Sequence, residues 1–253
     1  MYMITLVTVT YNAAAVLQRT LASIAEQTCK DFEHLIIDGA STDNTIQLAE
    51  QYKASLTGGQ VLILSEPDKG LYDAMNKGLR LAKGNYICFL NAGDKLHSPA
   101  TLQHISDSLK TSKNPVGIIY GNTDIVDEMG TFIRHRRLQP PATLTWRSFR
   151  HGMLVCHQAF YVNRTIAQNY DLRYRFSADF DWCIRCMKEG ERLHMTNLQI
   201  HEPLCDYLAE GMTTQNHKAS LRERFNIMRK HYGLIPTIAL HLWFVIRAIK
   251  NSK

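Results

Sequence analysis

The sequence predicts an α/β fold with a mostly parallel, doubly wound sheet in its front half, a mixed rear half and a basic, amphipathic helical tail. Three observations carry that prediction. Apolar, β-branched runs alternate with helical spacings from residue 4 to residue 90. The alternation stops after residue 115. The final segment, 218–253, carries eight Lys and Arg against the single acid Glu223. Strands that alternate with helices favour parallel pairing, with helices covering both faces of the sheet.

The elements follow in order. Residues 4–10 (ITLVTVT) form a continuous β-branched run, as a strand buried on both faces should. Apolar positions 14, 17, 21, 24 and 25 give a helix over 14–27. Phe32–Asp38 is a second strand, and the polar stretch Ser41-Thr42-Asp43-Asn44 offers Thr42 or Asp43 as cap of a helix reaching residue 54. Val61–Leu64 is a third strand, 71–82 a helix with Gly84 as its stop, and Tyr86–Leu90 a fourth strand. Val116–Tyr120 reads as a strand, Asn122–Arg137 as a hairpin about Glu128-Met129-Gly130, and 138–150, with Pro140-Pro141, as loop. Met153–Val162 reads as a strand and Phe180–Lys188 as a helix ending at Gly190. No repeat or clean linker interrupts the chain. The expected organisation is one domain over 1–217, divided into a front half (1–115) and a rear half (116–217), followed by an extension over 218–253.

Composition narrows the class. In 253 residues, 45% are hydrophobic and 21% charged, a globular balance that excludes disorder, collagen and coiled coil. The net charge of +6 is unevenly placed: residues 1–130 hold 10 Lys and Arg against 14 Asp and Glu, whereas 131–253 hold 19 against 9. That asymmetry points to a negatively charged partner. The six cysteines show no disulfide-framework spacing, and Met1-Tyr2-Met3-Ile4-Thr5 lacks a signal-peptide n-region, so free thiols in a reducing, cytoplasmic setting are expected. Cys183 and Cys186 form an isolated CxxC, read as two small residues on one helix face rather than a metal site. Leu234–Ile249 is apolar but too short to span a bilayer. Trp243, Phe244 and flanking cations suit a helix lying on an anionic membrane surface, with packing on the domain or on a second subunit as the alternatives. No groove-reading motif supports nucleic acid, and the acidic front would repel a phosphate backbone.

Ligands of such sheets bind beyond the carboxyl ends of the strands. Those ends read Thr10-Tyr11-Asn12, Asp38-Gly39, Glu66-Pro67-Asp68 and Asn91-Ala92-Gly93-Asp94. Clustered carboxylates there require cations or ligand donors. The dinucleotide fingerprint, the P-loop and the GxSxG elbow are all absent.

Taken together, Thr8-Val9-Thr10-Tyr11-Asn12, Ile37–Thr45, Ser65–Gly78, Phe89–Asp94 and Ser177–Trp182 resemble glycosyltransferase family 2, nearest the colanic-acid and envelope-polysaccharide branch. The resemblance spans roughly residues 3–215 and implies a GT-A fold and an inverting transferase that uses a nucleotide sugar, with a UDP-sugar favoured. It implies a glycan or lipid-linked acceptor and a place at the inner face of the cell membrane. By the same resemblance, Thr10, Tyr11, Asn12, Asp38, Asp68, Asn91 and Ala92 contact the donor, Asp38 through the imide of its base. Asp43 is open between donor contact and helix capping. Asn91-Ala92-Gly93-Asp94 replaces the usual Asp-x-Asp, leaving Asp94 as the charged ligand for Mg²⁺ or Mn²⁺. Asp179 is the expected base, with Asp181 as the alternative. His157 and Gln158 fall on the acceptor side, and His201 and His217 are further metal candidates. Two rivals are a sugar nucleotidyltransferase, which would need a glycine-rich basic loop after the first strand, and a non-catalytic subunit of a polysaccharide assembly complex.

Overall fold

The computed structural model describes residues 3–209 and 217–250. The front half is four parallel strands wound with helices: β1 (Ile4–Thr10), α1 (Ala14–Ala25), β2 (Phe32–Asp38), α2 (Thr45–Ser55), β3 (Gln60–Ser65), α3 (Leu71–Leu81) and β4 (Tyr86–Phe89). β1 and β2 are buried at every position, and the polar residues inside β2 are partnered: Thr5 Oγ1 donates to Glu33, and His34 pairs with the hydroxyls of Thr8 and Tyr52. In register, Thr10 lies beside Asp38, and Asp38 beside Ser65, so three strands end level and present polar side chains together.

The rear half continues the same sheet. It comprises β5 (Lys95–Leu96), α4 (Thr101–Thr111), β6 (Val116–Val126), β7 (Phe132–His135), β8 (Phe160–Asn163), α5 (Ala178–Arg192) and β9 (Thr196–Leu208). The strand order is β3-β2-β1-β4-β8-β6-β9-β5, with β7 paired to β6. β8 runs antiparallel to β4, and β6 runs antiparallel to β8 and parallel to β9. Two helices follow, α6 (His217–Tyr232) and α7 (Leu234–Lys250). No described helix is long and apolar enough to cross a membrane.

Several expectations need correction. Gly84 is not a helix stop: α3 ends at Leu81, and a Cβ on Gly84 would lie 2.6 Å from the backbone nitrogen of Thr5. The glycine lets the α3–β4 connection lie against β1, and its N–H donates to Thr5 Oγ1. Gly190 lies inside α5, which runs on to Arg192, and His194 takes the left-handed turn at φ 55. The expected strand over 116–120 runs on through Gly121 to Val126 as β6, which forms the expected hairpin with β7 and is bulged against β9 near Gly121, where Leu204 fills the space a side chain would need. The strand expected over 153–162 shrinks to Phe160–Asn163, preceded by a 3-10 turn at His157–Ala159, and a second such turn spans Trp146–His151 in the expected loop. All six cysteines are free thiols; five are buried and Cys29 is half-buried. The CxxC thiols sit in the core, where burial pushes Cys186 up to about 12.

Candidate functional site

The crevice at the ends of β1–β4 is built by short polar turns. Asp38 is fully buried and accepts four donors. Thr10 Oγ1 (2.8 Å) and Ser41 Oγ (2.5 Å) donate to its Oδ1. The Ser41 N–H (2.8 Å) and Ser65 Oγ (2.7 Å) donate to its Oδ2. Although burial alone would raise it, these donors hold the carboxyl below its ordinary range. Asp38 thus ties three strand ends together, and a base imide would reach it only by displacing one of the hydroxyl donors. Asn12, in the left-handed region at φ 47, accepts the Thr42 N–H on its side chain (2.9 Å). Asp43 accepts from Thr45 at one oxygen and from the Ala14 N–H at the other, so it caps the starts of both α1 and α2.

Asp68 closes the crevice from the β3–α3 loop. Its Oδ1 accepts the Gly70 N–H (2.7 Å), and its Oδ2 covers Gly39, where a Cβ would lie only 2.5 Å away. The Tyr11 ring flanks the same glycine and is 69% exposed. Lys77, nearly buried, fixes this loop through Glu66 (2.9 Å) and the Pro67 carbonyl (2.8 Å).

Asn91–Asp94 forms the next wall. Gly93 stands at φ 98, a conformation that favours glycine and accounts for the missing acid in the Asp-x-Asp-like stretch. Asp94 is buried; it accepts the Leu208 N–H (3.0 Å) on Oδ1 and Gln158 Nε2 (2.7 Å) on Oδ2. Burial pushes its carboxyl up to about 7. Nearby, Asn91 Oδ1 is a buried oxygen without a hydrogen-bond partner. A raised carboxylate oriented by N–H donors and an unsatisfied amide oxygen are hard donors that suit Mg²⁺ or Mn²⁺. A second set that could hold a metal is His97, Asp124 and Asp206, whose ligand atoms lie within 4.8 Å of one another. It lies on the other face of β9 from the buried Cys205, because successive strand residues alternate. His97 and His135 already pair with its two acids.

The rear half contributes Asp179, half-buried in the first turn of α5. Its Oδ1 accepts the Tyr72 hydroxyl (3.3 Å) and the Phe180 N–H (2.9 Å), and no described residue donates to its Oδ2. Tyr72 stacks on Tyr170, which stacks on Trp182, so α3 and α5 are joined by aromatic packing beneath the carboxylate. Burial and the Asp179 charge push the Tyr72 phenol well above its usual value.

Three expected roles are corrected by this geometry. Asp181 does not face the crevice: it is fully buried and bound by Arg185 (2.5 Å), His231 (2.7 Å) and Lys230 (3.1 Å). These partners hold it well below the carboxylate range, so it is an anchor rather than a base. His157 belongs to the aromatic core, stacked on Phe89 and bonded to the Tyr170 hydroxyl (2.7 Å), and burial lowers it to about 4. Gln158 is buried and orients Asp94. His201 is exposed on β9 in a shallow cleft with His104, Asp107 and Glu202, and the side chain of His217 lies outside the described residues. Two further contributors were not singled out in the sequence. Ser65, at the end of β3, donates to Asp38, and Tyr207 on β9 has a phenol raised by burial and by the charges of Asp94 and Asp179.

The continuous sheet, with polar strand ends opening toward a half-buried carboxylate from the rear half, is the architecture of the GT-A glycosyltransferases. Sequence comparison gives the family: the Glycosyl transferase family 2 profile matches residues 5–170, and the chain belongs to that family of glycosyltransferases. It is 37% identical over 187 residues to a PGL/p-HBAD biosynthesis glycosyltransferase of Mycobacterium tuberculosis, covering 73% of this chain and 69% of the relative. It is 29% identical over 219 residues to the amylovoran biosynthesis glycosyltransferase AmsB of Erwinia amylovora, covering 82% and 70%. The fold is similar to that of S. aureus TarS 1-349 in complex with UDP-GlcNAc, with a TM-score of 0.68, 17% identity, and coverage of 90% of this chain and 64% of that one.

Proposed function

We propose that the protein is an inverting glycosyltransferase that moves a sugar from a UDP-sugar to a hydroxyl of a glycan or lipid-linked acceptor in surface polysaccharide synthesis. The observation that carries this reading is Asp179, a half-buried carboxylate with one undonated oxygen beside the nucleotide-type crevice. The family profile ends at residue 170, so the assignment of Asp179 rests on its geometry. The UDP-GlcNAc complex of TarS supports the choice of donor, and the amylovoran biosynthesis role in the name of AmsB supports the pathway class.

In this reading Tyr11 stacks on the base, and Asp38 accepts the base imide in exchange for the Ser41 hydroxyl. Thr10, Asn12, Asp68, Asn91 and Ala92 line the donor. Asp94, with Asn91, would hold Mg²⁺ or Mn²⁺, which neutralises charge on a diphosphate leaving group. Asp179 takes the proton of the acceptor hydroxyl as that oxygen attacks the anomeric carbon. The carbon–oxygen bond to the diphosphate breaks on the opposite side, and the anomeric configuration inverts in one displacement. The exposed stripe of α7 and the basic tail hold the enzyme on the anionic inner face of the cell membrane.

A panel of UDP-, dTDP- and GDP-sugars, scored by protection against thermal unfolding, tests the donor assignment. A UDP-sugar should give the largest shift; protection by none of them would refute the reading. With the protecting donor, Asp179→Asn should lower kcat by about 10²–10⁴-fold, the usual contribution of a positioned base.

A further inference from the structure

Helix α6 lies beyond the residues matched by the family profile, yet it reaches back to the segment that bears Asp179. Three consecutive backbone N–H groups, those of Arg175, Phe176 and Ser177, donate to the Glu223 carboxylate at 2.8, 2.9 and 2.9 Å. Ser220, one turn earlier, hydrogen-bonds the Ser177 hydroxyl (3.0 Å). Ser177 is the cap position of α5, and Asp179 is two residues on. At the far end of α6, His231 and Lys230 bind the buried Asp181, the residue on the other side of Asp179 from Ser177 in the first turn of α5. The first turn of α5 is therefore gripped on both sides of the carboxylate by groups from one helix.

These contacts differ from ordinary packing. The first N–H groups of a helix and its lead-in have no intrahelical partners, and a carboxylate that collects three of them fixes the backbone direction there. Glu223 is the single acid in a segment with eight cations, so it is not one of several interchangeable surface charges. We propose that α6 is a latch for the catalytic turn: Glu223 is a positioning residue that sets the Asp179 carboxylate against the acceptor hydroxyl and leaves donor binding unchanged. The proposal rests on Asp179 being the base. It also makes transfer depend on the seating of the tail.

Amide hydrogen exchange and steady-state kinetics on the full chain test it, with Glu223→Gln, which keeps the volume and one acceptor oxygen. The amides of residues 175–177 should be protected in the native protein and should exchange at least about tenfold faster in the variant, because partnerless amides open locally. With the protecting donor, kcat should fall about 10–100-fold while donor KM stays within about twofold, the pattern of a misplaced catalytic group. UDP should bind the variant as it binds the parent. Unchanged exchange at 175–177, or a loss confined to donor KM, overturns the latch. Glu223→Asp, which keeps the charge on a shorter arm, should recover part of kcat, and no recovery above the Gln variant counts against positioning. Asp179→Asn separates the two claims. Full transfer by that variant overturns Asp179 as base whatever Glu223 does, whereas unchanged exchange in Glu223→Gln overturns the latch whatever Asp179 does.

Discussion

Tyr72 donates its hydroxyl to Asp179 across the junction of α3 and α5. Tyr72→Phe keeps the ring stack on Tyr170 and removes this donor, so kcat should fall by about 3–10-fold in steady-state kinetics while donor KM stays within about twofold. His157 makes a different prediction. Its pKa is lowered by burial to about 4, against 6.5 for an unperturbed imidazole, so between those values the unfolded chain takes up a proton that the fold refuses. The stability His157 contributes is therefore complete above pH 6.5 and declines as pH falls toward 4. The cost of His157→Gln, measured by denaturant unfolding, should shrink by about 2 kcal/mol between pH 7.5 and pH 5. The sequence exposes residue types but not the direction in which they point. Asp179 and Asp181 are both acids in the first turn of one helix, and the partners of Asp181, Arg185 on its own helix with Lys230 and His231 from α6, separate the candidate base from an anchor. Asp38 was legible as a strand-end acid, but its four donors come from β1, β3 and a turn that only the sheet register brings together.

Among the elements, the parallel strands were the easiest to read, because β1 is a continuous β-branched run buried on both faces and β2 and β3 keep apolar hearts at Leu35–Ile37 and Val61–Leu64. β9 was missed for the opposite reason. It is interrupted by His201, Glu202 and Pro203 and is held in place by pairing with β6 and β5 rather than by its own pattern. The two-residue β5 has too little sequence to carry any pattern. Two glycines serve contact rather than conformation, and Gly84 misled for that reason. Gly78 faces Val7, where a Cβ would lie 2.5 Å from Cγ1, and Gly84 faces the backbone of β1. Gly78→Ala should cost about 1–3 kcal/mol as Val7 adjusts, and Gly84→Ala should cost more, because backbone cannot move aside as a side chain can. Thermal unfolding of the two variants side by side checks the order.

On the scale of the whole molecule, one sheet runs from β3 to β5 through both halves of the chain, so the front and rear share a core rather than an interface. The charge asymmetry acquires a location in part: Asp38, Asp68 and Asp94 of the front stand at the strand ends, and seven of the nineteen Lys and Arg of the back lie on α6 and α7. Leu234, Ile235, Ile238, Leu242 and Ile246 are exposed along α7, with Ile235 at 81%. Paired Asp substitutions at Ile235 and Ile238 should lower co-sedimentation with vesicles containing anionic lipid by about tenfold or more, given the stated loss of apolar contact. They should leave UDP binding unchanged. Equal sedimentation by parent and variant would remove the membrane role of this face. The thiols described with the fold bear on how such variants can be judged. Since only Cys29 is even partly accessible and none of the six lines the proposed site, an alkylating reagent should find one reactive position on intact molecules and five more on molecules that have opened. The number of labels per chain, read by mass, would therefore count unfolded molecules directly and separate a variant with altered chemistry from one that has lost its structure.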